Sequence, residues 1–144
     1  MKFVSVNNEN IFHLRDFIKN MGNSSETFRY FATRTPTQAI ENHILTVLLM
    51  DEEPVGYGHL DKEDHIVWLG ICVKEGAQGK GYGRKIMEEL VTSYEGEIEL
   101  TVDASNFRAI KLYESFGFCK VSTRPGIIYM RRGDQRTSRR GSFI

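Results

Sequence analysis

Apolar residues recur along this chain with two different periods, and the change between them divides it. KFVSV (2–6) alternates as a strand does. Between residues 9 and 21, Ile11, Leu14, Ile18 and Met21 stand at helical spacing, with Asn7 or Asn8 available as cap. Asn23 followed by Glu26 predicts a short second helix over SETFRYF. Thr35-Pro36-Thr37-Gln38 has the form of a capping box with proline at the first helical position, so a third helix is expected over 36–43. The period then shortens to two. ILTVLLM (44–50), PVGYGHL (54–60) and HIVWLGICV (65–73) read as strands joined by the acidic turns DEEP and DKED, an antiparallel meander.

After a glycine-rich segment comes a helix with Ile86, Met87, Leu90, Val91 and Tyr94 as its buried stripe and Gly96 as its stop. EIELTV (97–102) is a strand, Asn106–Phe116 a helix stopped by Gly117, and 118–123 and 126–132 are two closing strands. A strand–helix–strand unit running from 65 to 102 calls for a crossover, which makes its two strands parallel. The expected fold is α/β: one domain over 1–132, with a mixed, mostly antiparallel sheet, a central parallel pair and flanking helices.

Composition changes this picture little. Hydrophobic residues make up 40% and charged residues 26% of the 144, with three prolines, as in an ordinary globular domain. No apolar run reaches the ~18–20 residues of a membrane span. The start MKFVSVNNEN has no apolar signal core, so a cytoplasmic protein is expected. Cys72 and Cys119 lie in apolar surroundings without metal-ligand spacing and read as two buried thiols in a reducing cytoplasm; no metal is expected. Charge is balanced overall but not locally. Residues 131–144 hold five arginines against Asp134, which leaves the other 130 residues four charges to the acidic side. The tail from 133 to 144 reads as a solvated, disordered terminus rather than a nucleic-acid binder.

The chemistry concentrates around glycines 76, 79, 81 and 83, between a strand and a helix. Unpaired N–H groups of a first helical turn and the helix dipole favour a phosphate there. Two familiar phosphate loops are excluded. Gly76 and Gly81 have P-loop spacing, but Tyr82 stands where that loop needs lysine, and the spacing of Gly79, Gly81 and Gly83 is not the dinucleotide pattern.

VKEGAQGKGYGRKIMEEL resembles the signature of the GNAT N-acetyltransferases, Gln/Arg-x-x-Gly-x-Gly/Ala, with Gln78, Gly81 and Gly83 matching. VDASNFRAIKLYESFGF is similar to that family's Asn-x-x-Ala-x-x-x-Tyr-x-x-x-Gly-Phe segment, with Asn106, Ala109, Tyr113, Gly117 and Phe118 in register. The resemblance spans the chain except its tail. It implies a GNAT fold and acetyl-CoA as co-substrate, with Gln78, Gly79, Lys80, Gly81, Tyr82, Gly83 and Arg84 around the pyrophosphate. It further implies a strand bulge at Gly70 that splays the parallel pair, backbone at Ile71 and Val73 along the pantetheine arm, and a carbonyl donor among the amides near Leu69–Ile71. Asn106 would contact the same arm, and Tyr113 would act as general acid toward the CoA sulfur. A phenol (pKa about 10) is a weaker acid than a thiol (about 8.5), so Tyr113 would work mainly by hydrogen-bonding the departing thiolate.

The general base is less legible. Relatives that acetylate protein N-termini often carry glutamate five residues before the motif asparagine, and here Thr101 stands there. Glu99 on the same strand face is the side-chain candidate, with His59 and His65 further off and a water chain as the substitute. Phe28, Arg29, Tyr30 and Arg34 form an aromatic, cationic segment suited to an anionic or sugar-like acceptor. The leading expectation is a small-molecule amine acetyltransferase, with nucleotide-linked amino sugars as the first class, acting as monomer or homodimer. The alternatives are a peptide acetyltransferase of the ribosomal-protein kind and a CoA-binding regulatory module without turnover.

Overall fold

The computed structural model describes residues 1–136. Its seven strands are β1 (Lys2–Ser5), β2 (His43–Asp51), β3 (Glu53–Glu63), β4 (Ile66–Val73), β5 (Ile98–Asp103), β6 (Cys119–Arg124) and β7 (Ile127–Arg132). The helices are α1 (Ile11–Lys19), α2 (Pro36–Ile40), α3 (Tyr82–Thr92) and α4 (Phe107–Ser115). The sheet order is β1-β2-β3-β4-β5-β7-β6. Every neighbouring pair is antiparallel except β4 and β5. Among the described residues no helix is long and apolar enough to cross a membrane.

Two cores cover the two sheet faces. On one, Ile11, Leu14 and Phe17 of α1 pack with Leu48, Met50, Tyr57 and Cys72. On the other, Ile86, Met87, Leu90 and Val91 of α3 pack with Val47, Leu49, Leu69, Ile98 and Leu100. Each fully buried side chain there contributes roughly 1.5–3 kcal/mol by leaving water. The alternation G-Y-G in β3 has a packing cause. A Cβ on Gly56 or Gly58 would stand 2.6 Å from Ile86, so bare backbone on that face lets α3 settle onto the strand. Tyr57, His59 and Asp61 consequently share the other face.

Several expectations are corrected. SETFRYF is no helix: the segment forms 3-10 turns at Gly22–Glu26 and Tyr30–Ala32. Its side chains have partners in divergent directions, Ser24 on Val73, Arg29 on Asp103 and Tyr30 on Asp61, which one regular helix cannot serve together. The capping threonine is as expected, its Oγ1 accepting from the Gln38 N–H, but α2 ends at Ile40 because β2 begins at His43. DKED is mostly strand. β3 runs through Glu63, and the turn is Asp64–His65, both with positive φ. Helix α3 ends at Thr92 before Gly96, with the Thr92 and Ser93 hydroxyls donating to the Glu88 and Glu89 carbonyls. The β3–β4 ladder passes Gly70 without a register shift, so there is no bulge in it. Finally, burial as a thiol holds for Cys72 but not for Cys119, which the fold leaves exposed.

Of the 133–144 segment, Gln135 donates its N–H to the Glu95 carbonyl and Arg136 pairs with Asp134. The expectation of disorder for the remainder falls outside the described residues.

Candidate active site

Strands β4 and β5 share one registered pair, Trp68 with Glu99. Beyond it, toward the C-terminal ends of both strands, the sheet is unzipped. The β3–β4 ladder decides which β4 groups face that gap. Lys74 donates its N–H to the Val55 carbonyl, so by antiparallel alternation Cys72 and Gly70 also bond toward β3, while Leu69, Ile71 and Val73 turn their N–H and C=O away from it. The Val73 carbonyl indeed accepts from Ser24 Oγ at 2.7 Å. Unbonded strand backbone lines the opening, and two clefts meet there. Thr27, Phe28, Ile71, Asn106 and Tyr113 line both.

The first cleft, about 610 Å³, runs along the glycine segment and the start of α3. Gly76, Gly79 and Gly81 have φ of 88°, 80° and 81°, the left-handed region that side chains disfavour. Gly81 is the N-cap of α3 and offers no capping side chain. The first intrahelical bond is from Lys85 N–H to the Gly81 carbonyl, so the amides of Tyr82, Gly83 and Arg84 have no acceptor within the helix. Gly83 serves packing instead: its Cβ would lie 3.3 Å from Leu112 of α4. Gln78 does not point its amide at the loop's interior. Nε2 donates to Ser24 Oγ at 3.0 Å, latching the loop to the Gly22–Glu26 turn and the end of β4. Arg84 and Arg108 line this cleft, and Arg84 also reaches Ser115 Oγ. Lys80 is exposed and lines neither cleft. Such a channel, amide-ended and flanked by guanidinium groups, suits a long phosphorylated ligand.

The second cleft, about 450 Å³, lies on the α1 face, between the 3-10 turns and the sheet. Aromatic rings of Phe28, Tyr30, Trp68 and Tyr129 wall it, with His59, Asp61, Glu63, Thr101 and Asp103 among its polar groups. Hydrogen-bond accounting orients the buried network. Tyr30 has one hydroxyl proton, and it goes to Asp61 Oδ2 at 2.7 Å. His43 Nε2, 2.8 Å from the Tyr30 hydroxyl oxygen, must therefore be the donor to it, and His43 Nδ1 accepts from Thr46 Oγ1 at 2.6 Å. Likewise the Tyr57 hydroxyl has His59 Nδ1 as its partner at 2.6 Å, which leaves the proton of His59 on Nε2. That ring lies over Gly70, where a Cβ would stand 2.5 Å from Nε2. Gly70 thus has a packing cause without a bulge.

Burial sets the protonation states. It lowers His43 to about 4 and His59 well below its ordinary value, so both are neutral, and His59 presents a donor rather than a base. Tyr113, 8% exposed on α4, is pushed above the usual phenol value by burial. Asn106 caps α4, its Oδ1 accepting from the Ala109 N–H at 3.3 Å, while its side chain also borders both clefts.

Two of the sequence candidates are corrected. Glu99 lines neither cleft; Arg131, its cross-strand neighbour, donates two hydrogen bonds to Oε1 at 3.1 and 2.8 Å. The Glu99 carboxylate is turned to Arg131 rather than to a reacting centre. Arg29 reaches the second cleft, but both of its terminal nitrogens bond the Asp103 carboxylate, at 3.2 and 2.9 Å. It is not a free anion receptor. Phe28, Tyr30 and Arg34 do line the cleft, Arg34 lying 4.2 Å over the Tyr30 ring. His65 is exposed in its turn. The sequence reading missed Ser24, His43 and Arg108, which carry no local signal, and Asp61. For Asp61 a signal existed: continuing the β3 alternation puts it on one face with Tyr57 and His59.

A family model described as the acetyltransferase (GNAT) family matches residues 9–118. The chain is similar to an L-amino acid N-acetyltransferase, AaaT, of Escherichia coli, 30% identical over 82 residues. That match covers 50% of this chain and 51% of the relative, so the chain spans about half the length of the curated relative it matches. Among solved structures it is similar to the ribosomal-protein-S18-alanine N-acetyltransferase of Escherichia coli, with TM-score 0.69 and 21% identity, covering 92% of this chain and 93% of that one. It is also similar to yncA, a putative acetyltransferase of Salmonella typhimurium solved with acetyl-CoA, with TM-score 0.70, 15% identity and coverages of 92% and 93%. At those identities the structural likeness speaks for the fold.

Proposed function

This chain belongs to the acetyltransferase (GNAT) family, and from that premise we propose that it moves the acetyl group of acetyl-CoA directly to a primary amine of a small molecule. The observation that supports the reading is the meeting of two clefts at Ile71, Asn106 and Tyr113. A donor in one and an acceptor in the other face each other through the gap between β4 and β5.

The residues present fit the donor. In this reading the amides of Gly79–Arg84 hold the pyrophosphate, where the uncapped end of α3 leaves donors unused. The N–H and C=O of Ile71 and the N–H of Val73, which turn away from β3, pair with the pantetheine arm as a strand would. Acetyl-CoA supplies a thioester carbonyl open to attack by a neutral amine. An N–H on the gap side of β4, at Leu69 or Ile71 but not at Gly70, stabilises the developing oxyanion. Tyr113 donates its hydroxyl hydrogen to the sulfur as negative charge grows there. Its raised pKa keeps the proton on the phenol, so the contribution is a hydrogen bond rather than full transfer. Thr101 and the donor tautomer of His59 offer no base, and the ammonium proton leaves through water in the open cleft.

The test is release of CoA thiol from acetyl-CoA with a panel of alkyl amines, diamines, amino sugars, amino acids and a short peptide. Acceptor-dependent release by a small amine supports the reading. Calorimetric binding of acetyl-CoA with no acceptor-dependent release would leave a CoA-binding module instead, and release with the peptide alone would give the peptide reading.

A further inference from the structure

The acidic cleft carries a feature that acetyl transfer does not use. Asp61, 2% exposed, lines it, and Oδ1 is buried without a hydrogen-bond partner, while Oδ2 accepts from Tyr30. The relay from Thr46 through His43 and Tyr30 ends in a proton donated to this carboxyl group. A buried carboxylate without a counter-charge is destabilising.

The cleft's own cations do not neutralise it. Arg29 is bound to Asp103, and Arg34 stacks on the Tyr30 ring and donates to the Tyr30 carbonyl. His43 and His59 are held neutral by burial. Glu63 adds a further acid to the lining, and the face of Trp68, the cross-strand partner of Asp61, is of the kind that attracts cations.

Resting on the acetyltransferase reading above, we propose that this end of the cleft is a subsite for a second positive group of the acceptor, so that the substrate class is a short aliphatic diamine acetylated at its far nitrogen. The span agrees. Asp61 pairs across the ladder with Trp68, three residues along β4 from Ile71 at the junction, so roughly 10 Å along the strands and about 5 Å between them put Asp61 about 11 Å from Ile71. Allowing about 3 Å for the ammonium–carboxylate contact leaves roughly 8 Å between the two nitrogens, the length of about five to six methylenes.

The experiment is calorimetric titration of the protein saturated with CoA, using 1,5-diaminopentane, pentylamine and glucosamine at low salt, with wild type and Asp61→Asn. Wild type is expected to bind the diamine about 10- to 100-fold more tightly than pentylamine. Asp61→Asn, confirmed as folded by its thermal transition, is expected to bind the two alike. Equal affinities in wild type, a preference that survives in Asp61→Asn, or tighter binding of glucosamine than of the diamine each overturn the subsite. The wild-type comparison stands even if the variant fails to fold. Turnover separates the two readings: Asp61-dependent diamine binding without thiol release removes the transferase and keeps the subsite. Equal binding and turnover of diamine and pentylamine does the reverse.

Discussion

Under the proposed function, Tyr113 carries chemistry that its ring packing does not require. The ring packs against Phe118 at 6.1 Å, while the residue borders both clefts. Tyr113→Phe keeps the packing and removes one hydrogen bond to a developing thiolate, a charge-assisted contact worth about 1.5–3 kcal/mol. Turnover should fall roughly 10- to 150-fold, with the Michaelis constant for acetyl-CoA and the Tm little changed. Steady-state thiol release at saturating acceptor measures this, and wild-type turnover with chemistry rate-limiting would reduce the residue to core packing. Gly81 is a different case. A Cβ there meets nothing within 4 Å, so space is not the constraint; φ of 81° is. Gly81→Ala should lose about 1–2 kcal/mol of stability from the left-handed conformation. Relief of that strain by rotating the cap should also weaken acetyl-CoA. A melting curve and acetyl-CoA titration indistinguishable from wild type would contradict both halves.

Between elements, the decisive joint is the one that ties the glycine loop to the early 3-10 turn. Ser24, 5% exposed, donates to the Val73 carbonyl and accepts from Gln78 Nε2, while Glu75 donates its N–H to the Met21 carbonyl and accepts the Asn23 N–H on Oε1. Two stretches of chain about fifty residues apart are held together beside the first cleft. Ser24→Ala leaves the Val73 carbonyl with only the longer 3.4 Å contact from Gln78. A loss of about 1 kcal/mol is expected, a few degrees in Tm, together with weaker acetyl-CoA binding. Loss of stability with unchanged acetyl-CoA affinity would show that the latch holds the fold and not the cleft.

For the molecule as a whole, the neutral histidines predict acid sensitivity. His43 has an ordinary value of 6.5 and is lowered to about 4 in the fold, and burial lowers His59 well below its ordinary value. Between those values the unfolded chain binds protons that the folded chain does not, so stability rises with pH through this window and is lost as pH falls through it. Each histidine adds up to about 1.4 kcal/mol per pH unit to the slope. Thermal unfolding from pH 7 to pH 4 should show the decline, and His43→Gln should flatten it. A Tm that is constant over the window would contradict the buried, neutral assignment.

Much of this architecture was legible in local order. Period and punctuation placed all seven strands, the long helices and the parallel pair, because burying one face of an element requires that its apolar residues recur at its own period. Glycines bounded by a strand and a helix announced the anion-type end of α3, and two motifs in register announced the family. What local order does not hold is the partner of a polar side chain. Glu99 and Arg29 looked available until β7 brought Arg131 beside the first and the end of β5 brought Asp103 beside the second. Asp61 looked like a turn residue because an acid inside a strand is an exception to pattern, tolerated only where Tyr30, 31 positions away in sequence, supplies a donor. The chain's own pattern therefore determined which strands and long helices form and which two strands run parallel, since those follow from each residue's solvation and from the crossover. Only the tertiary structure decided which charges are neutralised and which remain for a ligand, since that depends on groups meeting across strands and turns.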